Sequence, residues 1–324
     1  DNDVLQQNTI DVPVFYFLRD FTYHAWYREI FNAGYVQFKS KIGKLGYQVG
    51  LRNEYSNIAI KYADRNDASP NIDNKKNYNN IFPTVFLSYE VAKDNQFLLN
   101  YSRRIDRPRS YFLIPNPSYS DNQNIFAGNI DLNPSYVDSF EFGYSISKPK
   151  YTINPTLYYR HTNDDVKILV YSQDNAFYTK PINLGTDDRF GLDLNFNWDA
   201  TKWLKFLGNV NLFGYRTTGV FYDPAVTERA QSFEGKGFSS IARLTSTFKI
   251  DKTFSFQFQG FYRGAQKTQS QDRKDLYALN FGASKTIWDG NGTISFNIQD
   301  IFNTRAMRSV TNTPDLTRES YMQW

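Results

Sequence analysis

The tightest constraint on this chain is the two-residue period that its apolar side chains keep along almost the whole length. Phe190, Leu192, Leu194, Phe196 and Trp198 alternate with Gly191, Asp193, Asn195 and Asn197. Phe254, Phe256, Phe258 and Tyr262 alternate with Ser255, Gln257, Gln259 and Arg263. Ile294, Phe296 and Ile298 alternate with Thr293, Ser295, Asn297 and Gln299, and Tyr47, Val49, Leu51 and Tyr55 with Gln48, Gly50, Arg52 and Glu54. An extended strand sends successive side chains to opposite faces, so each segment reads as a strand with one apolar and one polar face. No helical period competes with it.

The polar phase is built from Asn, Gln, Ser, Thr, Asp, Arg and Gly. A face of that kind lines water or a polar plug, and the opposite face is free to meet lipid. The connections sort by length. Short ones fall near 41–44, 92–95, 148–150, 199–201, 251–252 and 289–290; long ones near 62–79, 105–135, 172–176, 219–235, 264–274 and 303–317. Short turns on one side and long loops on the other mark an outer-membrane barrel, whereas a sandwich would not separate them so cleanly. The strands expected are 21–40, 44–61, 80–90, 96–104, 136–147, 151–171, 177–198, 202–217, 238–250, 253–265, 275–288 and 292–302, with 321–324 as the start of another. Several exceed the roughly 9–11 residues that cross a bilayer, and the surplus is expected to form a polar rim, where Asp164 and Asp165 fit. Trp198, Trp203 and Trp288 lie beside short turns, as an interfacial girdle requires.

Composition agrees with a barrel wall. The mean hydropathy is −0.59 and no run of 18 apolar residues occurs, which excludes membrane helices but not alternating membrane strands. Aromatics make up 18% of the chain, the stock from which girdles are drawn. Cysteine is absent, which removes disulfides and thiolate metal sites. The net charge of +4 gives no argument for a nucleic-acid partner. Asp1 opens neither on an initiator Met nor on a signal peptide, so the expectation is a mature or excised chain.

The connection around 105–135 is far longer than the usual 4–6 residues and therefore needs a reason. Arg103, Arg104, Arg107 and Arg109 cluster at its base around Asp106. They either contact an anionic or hydroxyl-rich ligand or a plug carboxylate, or tie the loop base to acidic wall residues. Tyr111, Phe112, Tyr119 and Phe126 either stack on a sugar or aromatic ligand or pack the loop down. Gly128, Asn129 and Pro134 read as backbone punctuation. His161, with Asp164 and Asp165 nearby, reads as a rim residue and not a catalytic one, since no nucleophile lies at suitable spacing. Asp64, Asp67 and Asp73 lack the spacing of a calcium loop, and no phosphate loop, nucleophile elbow or zinc signature occurs. No catalytic residue, metal ligand or cofactor is therefore assigned.

Several landmarks carry a family resemblance. Asn100-Tyr101-Ser102-Arg103-Arg104-Ile105-Asp106-Arg107-Pro108, Gly128-Asn129 with Asp131-Leu132-Asn133-Pro134, Asn183-Leu184-Gly185-Thr186, and Asn297-Ile298-Gln299-Asp300-Ile301-Phe302-Asn303 together resemble the TonB-dependent receptor barrels of Bacteroidota. Ile130 departs from the pattern, which usually has Pro there. The resemblance implies an all-β fold, a transmembrane antiparallel β-barrel in the bacterial outer membrane. Residues 1–324 would be the C-terminal part of it, about 12 strands of a roughly 22-stranded, plugged barrel, with the last strand cut short and the plug domain outside this chain. It implies energy-coupled uptake of a scarce ligand (siderophore, glycan or peptide) and no enzymatic activity. The partners implied are outer-membrane lipid, the plug, TonB and a surface lipoprotein. The competing reading is a structural, adhesive or envelope-assembly barrel without transport.

Overall fold

The computed structural model describes residues 5–8, 14–17, 23–64, 72–115, 117–119, 123–173, 176–224, 226–227, 229–314 and 316–323. Twelve strands make one large antiparallel sheet. They are β1 (Tyr23–Ile42), β2 (Leu45–Asp64), β3 (Ile72–Ala92), β4 (Asn95–Asp106), β5 (Ser135–Lys148), β6 (Tyr151–Asn163), β7 (Thr186–Asp199), β8 (Leu204–Thr217), β9 (Gly235–Lys249), β10 (Phe254–Arg263), β11 (Leu276–Ile287) and β12 (Gly292–Ile298). Each strand pairs with its sequence neighbour, and β1 and β12 each have one partner in this sheet. These are the twelve strands that alternation predicts.

Register fixes the faces. Gly191 lies opposite Phe213, Asp193 opposite Asn211 and Asn195 opposite Asn209, so the polar phases of β7 and β8 coincide. Their side chains form one network. Asn209 Nδ2 donates to Asp193 Oδ1 at 2.6 Å and to Asn195 Oδ1 at 2.9 Å, and Tyr158 donates its hydroxyl to Asn211 Oδ1 at 2.9 Å. This polar side is the lumenal face. The apolar phase, with Leu157, Phe190, Leu212, Phe142, Leu99 and Ile294, is exposed on the other face.

Two aromatic belts bound that outer face. The lower one runs beside the short turns, where Trp198 stacks on Phe206 at 5.6 Å and Trp203 lies 6.1 Å from Phe248. The upper one is in register across six strands: Tyr101, Phe140, Tyr159, Phe190 and, beyond Gly214, Phe238. The ring of Phe190 covers Gly214, where a Cβ would collide with it. From Phe190 to Trp198 is about 26 Å along the strand at roughly 3.3 Å per residue. At the roughly 35–45° strand tilt of outer-membrane barrels that corresponds to a height of about 20 Å, most of the ~25 Å apolar band. One step above the upper belt the outer face turns charged, with Arg103, Asp138, His161, Asp188, Arg216 and Lys236 in consecutive register.

The loops hold more structure than alternation indicates. The segment 151–171 is two strands, broken at Asp164 with φ of 53°, and 177–198 is two strands, broken at Gly185 with φ of 69°. The outer halves, Val166–Gln173 and Ala176–Asn183, form a hairpin that leaves the wall and joins Asn124–Ala127 and Pro117–Tyr119 in a separate four-stranded sheet. Asp164 and Asp165 thus sit at the break, not inside a strand. β3 begins at Ile72, so the 62–79 loop shrinks to residues 65–71, and Asp67 lies outside the described residues. The segment 303–317 carries strand Ala306–Asn312, which pairs with Thr317–Gln323; Trp324 lies outside the described residues.

Candidate functional site

The base of the long loop is tied to the inner wall through Arg107. Its Nη2 forms an ion pair with Glu54 Oε1 and donates to Ser56 Oγ at 3.2 Å, while Arg52 Nη2 holds Glu54 Oε2 at 2.6 Å. Its guanidinium also lies 4.4 Å from the Phe31 ring centre. Glu54 is 5% exposed, so two guanidinium groups compensate one buried carboxylate. Burial pushes the Arg107 pKa below the usual range, with the Glu29 carboxylate pulling the other way.

The other three arginines point elsewhere. Arg103 is on the outer face, 5.6 Å from the Tyr136 ring centre. Arg104 faces inward and lines a cavity of about 500 Å³ with Tyr35, Arg52 and Thr84. Arg109 is exposed immediately before a four-residue helix, Ser110–Leu113, that the alternation did not indicate.

The loop itself folds inward over the lumen. Leu113 and Leu132 pack with Ile58 and Ile60 of β2, all buried, with Tyr27, Tyr78, Phe112 and Ile130 around them. Ile130 therefore fills this cluster at the position where the resemblance expects Pro. Tyr111, Phe112 and Phe126 form an aromatic group, with ring centres 4.4 Å, 6.1 Å and 5.9 Å apart. Tyr111 is its solvent-facing member at 49% exposure. Tyr119 ends the strand Pro117–Tyr119, and its side chain lies outside the described residues.

Polar clamps hold the returning chain. A Cβ on Gly128 would collide with the carbonyl of Ile114, so only glycine fits there. Asn129 accepts from the Asp131 N–H at 3.0 Å and donates to the Pro181 carbonyl at 3.0 Å. Asn183 donates to the carbonyls of Asn133 and Asp164, both at 2.9 Å, and accepts from the Asn133 N–H at 2.7 Å. Two segments that read as family landmarks in sequence thus meet in space.

The structure gathers Tyr111, Phe112 and Phe126 but spreads the four arginines, of which Arg103 and Arg104 line one cavity. It also brings together inward-facing arginines that the sequence reading did not single out. Arg160 pairs with Glu141 at 3.7 Å, and Arg189 Nε donates to Asp187 at 2.7 Å. Arg243 lies 5.2 Å from the Phe261 ring centre, and Arg263 and Arg273 stand nearby in the upper lumen. Their signal was available: Arg160, Arg189, Arg243 and Arg263 all fall on the polar phase of their strands. His161 is a rim residue on the outer face, its ring nitrogens 2.6 Å from Asp188 Oδ1 and 3.0 Å from Asn163 Oδ1.

The model of the family described as "Outer membrane protein beta-barrel family" matches residues 1–324. No curated protein sequence matches the chain. Among solved structures, the siderophore receptor PiuA from Acinetobacter baumannii superposes with a TM-score of 0.64 at 12% identity, over 93% of this chain and 42% of that one. The ferric-catecholate import receptor Fiu from E. coli K12 gives 0.61 at 12% identity, over 92% and 45%. The copper transporter OprC gives 0.62 at 11% identity, over 92% and 46%. The chain spans less than half the length of each of these proteins.

Proposed function

The chain belongs to the outer membrane protein beta-barrel family, whose model matches it from end to end, and from that premise we propose that it is wall and loop of a TonB-dependent receptor that imports a scarce ligand across the outer membrane. The observation that carries the reading is the pairing of a polar inner wall with a loop sheet folded over it. A hydrogen-bonded Asp–Asn–Tyr lining such as that around Asp193 and Asn209 suits passage of a hydrated solute. A purely adhesive barrel has no need of it.

In this reading the 12-stranded sheet belongs to a larger closed wall, because two unpaired edges are not tolerated in lipid. A plug fills the lumen, TonB supplies the energy, and a surface lipoprotein is a candidate partner. Exposed Tyr111 and Arg109 are the loop side chains that meet ligand in this reading, and Arg104 is a further contact from its inward-facing cavity. Phe112 and Phe126 back Tyr111, and Arg107 is an anchor. The siderophore and metal transport of the structural neighbours supports a chelate as cargo; glycans and peptides are the other classes.

The test is a deletion strain grown on panels of ferric siderophores, glycans and peptides, each with the TonB system intact or inactivated. We expect loss of growth on one class only, reproduced by removing TonB function. Unchanged growth on every class, together with altered adhesion or envelope integrity, would establish the structural alternative instead.

A further inference from the structure

The wall forks between β3 and β4. β3 stays paired with β2 from Tyr89 up to Ile72 without a register shift, and β4 stays paired with β5 up to Asp106. β3 and β4 are paired with each other only below the fork, where the last pair is Thr84 with Ser102. The cavity of about 500 Å³ that Arg104 lines lies in the crotch, with Phe82 and Thr84 on one side and Arg103, Arg104 and Ile105 on the other.

The phase of the ladder fixes which backbone groups face the gap. The Glu90 N–H donates to the carbonyl of Lys44, in the turn before β2, at 3.0 Å. Even-numbered residues of β3 therefore point their N–H and C=O at β2, and odd-numbered residues point theirs away from it. The next odd position above the last pair is Pro83, which would meet Arg103 and has no N–H to donate. That is where the ladder to β4 stops. Above it the N–H and C=O groups of Asp73, Lys75, Asn77, Asn79 and Ile81 face the gap, and none has a backbone partner among the described residues.

The loop that returns to β5 packs on the inner face instead. Lys76 Nζ reaches the Leu132 carbonyl at 2.7 Å and Tyr136 donates to Asn80 Oδ1 at 2.9 Å, both at even positions. The odd side chains lie on the outer face, all exposed. Long bare edges in natural proteins are blunted with bulges, prolines or charges. Between Asp73 and Ile81 the pairing with β2 has no bulge and the sequence no proline. Asp73 is held by Lys61 at 3.4 Å, whereas Lys75 has no ion-pair partner among the described residues. A row of alternating donors and acceptors is matched only by another extended backbone, and the free ammonium of Lys75 selects an acidic side chain beside it.

We propose that this edge takes a strand from a protein partner outside the cell, paired antiparallel with residues 73–81 and carrying a carboxylate opposite Lys75. The inference stands on the barrel wall alone and not on what the barrel imports.

The experiment is fluorescence anisotropy of a labelled synthetic peptide, Val-Ser-Thr-Ser-Thr-Ser-Glu-Ser-Lys, titrated with the full receptor in detergent. Paired antiparallel, it sets its Val beside Ile81, its Glu beside Lys75 and its Lys beside Asp73. Saturable binding is expected. N-methylation of both Thr residues and the Glu removes N–H groups that face β3 and keeps every side chain; it should weaken binding about tenfold or more. Replacing the peptide's Glu by Lys should also weaken binding, and Lys75→Glu should reverse that preference. Asn79→Pro deletes an N–H on the gap side only, so it should keep the pairing with β2 and lose the peptide; Asn77→Pro stands in if Asn79→Pro does not fold. Without peptide, the amides of Lys75, Asn77, Asn79 and Ile81 should exchange with solvent faster than those of Asn74, Lys76, Tyr78 and Asn80, and the peptide should slow the first set. Equal protection of the two sets, no saturable binding by the folded receptor, or equal binding of the N-methylated peptide would each overturn the assignment. A receptor that is dimeric in detergent and made monomeric by Asn79→Pro would overturn it in favour of pairing between two copies.

Discussion

Arg107 and Arg109 are two residues apart and both basic, yet their expected contributions differ. Arg107 compensates Glu54, which Arg52 alone would then have to hold. Arg107→Ala should destabilise the loop base by about 2 kcal/mol, below the full cost of breaking a buried pair because Arg52 remains. Arg109→Ala, fully outside that network, should fall within about 0.5 kcal/mol. Denaturant midpoints of the two variants check this, and equal shifts would mean that Arg107 is no anchor. A second residue-scale prediction concerns Asp251, in the turn between β9 and β10. The Thr253 hydroxyl at 2.7 Å, then the N–H groups of Thr253 and Phe254, hold its carboxyl down from the usual 3.8 to about 2. A depressed native pKa contributes stability above the unfolded value and loses it as pH falls through the native one. The turn's contribution should therefore be intact above pH 4 and fade towards pH 2, and Asp251→Asn should flatten that part of an unfolding-versus-pH curve. The role of Arg107 was one of two open readings in the sequence. Its acceptor lies on a strand 53 positions earlier, and periodicity carries no information about such a pair.

At the scale of elements, alternation located all twelve wall strands because each has to keep one face apolar along its length. It could not say where a strand stops belonging to the wall. Val166, Ile168 and Val170 keep the two-residue alternation beyond Asp164 but in the phase of Thr156, Arg160 and Thr162, so the break shows only as a change of phase, and the exit into a separate sheet left no mark in the pattern. What decides membership is long-range: Phe177–Thr179 pairs in parallel with Asn124–Phe126, more than fifty residues earlier. Asn183 is the joint of that arrangement. Asn183→Ala removes three hydrogen bonds, two to Asn133 across the two loop segments and one to the Asp164 carbonyl, each worth about 1 kcal/mol net. Amide exchange should speed up in 123–134 and 176–183 while β6 and β7 stay protected. Unchanged exchange in the loops would show that the sheet pairing alone holds them.

For the molecule as a whole, the two belts and the two faces make one prediction. The sequence has no cysteine, so single cysteines can be labelled without background. Labels at Phe254, Phe256 and Phe258 should report lipid, and labels at Ser255, Gln257 and Gln259 should report water. The reverse order, or no order, would rule out a membrane-spanning wall. A further consequence comes from the meander itself, in which each wall strand between β1 and β12 is paired with the strand before it and the one after it. Contacts between chain neighbours cost little loop-closure entropy, so no part of the wall has to wait for a distant partner. Each hairpin begins and ends on the same side of the membrane and carries its own inside and outside. Such a wall can be lengthened or shortened by whole hairpins without disturbing the rest, and its circumference can change over generations in steps of two strands.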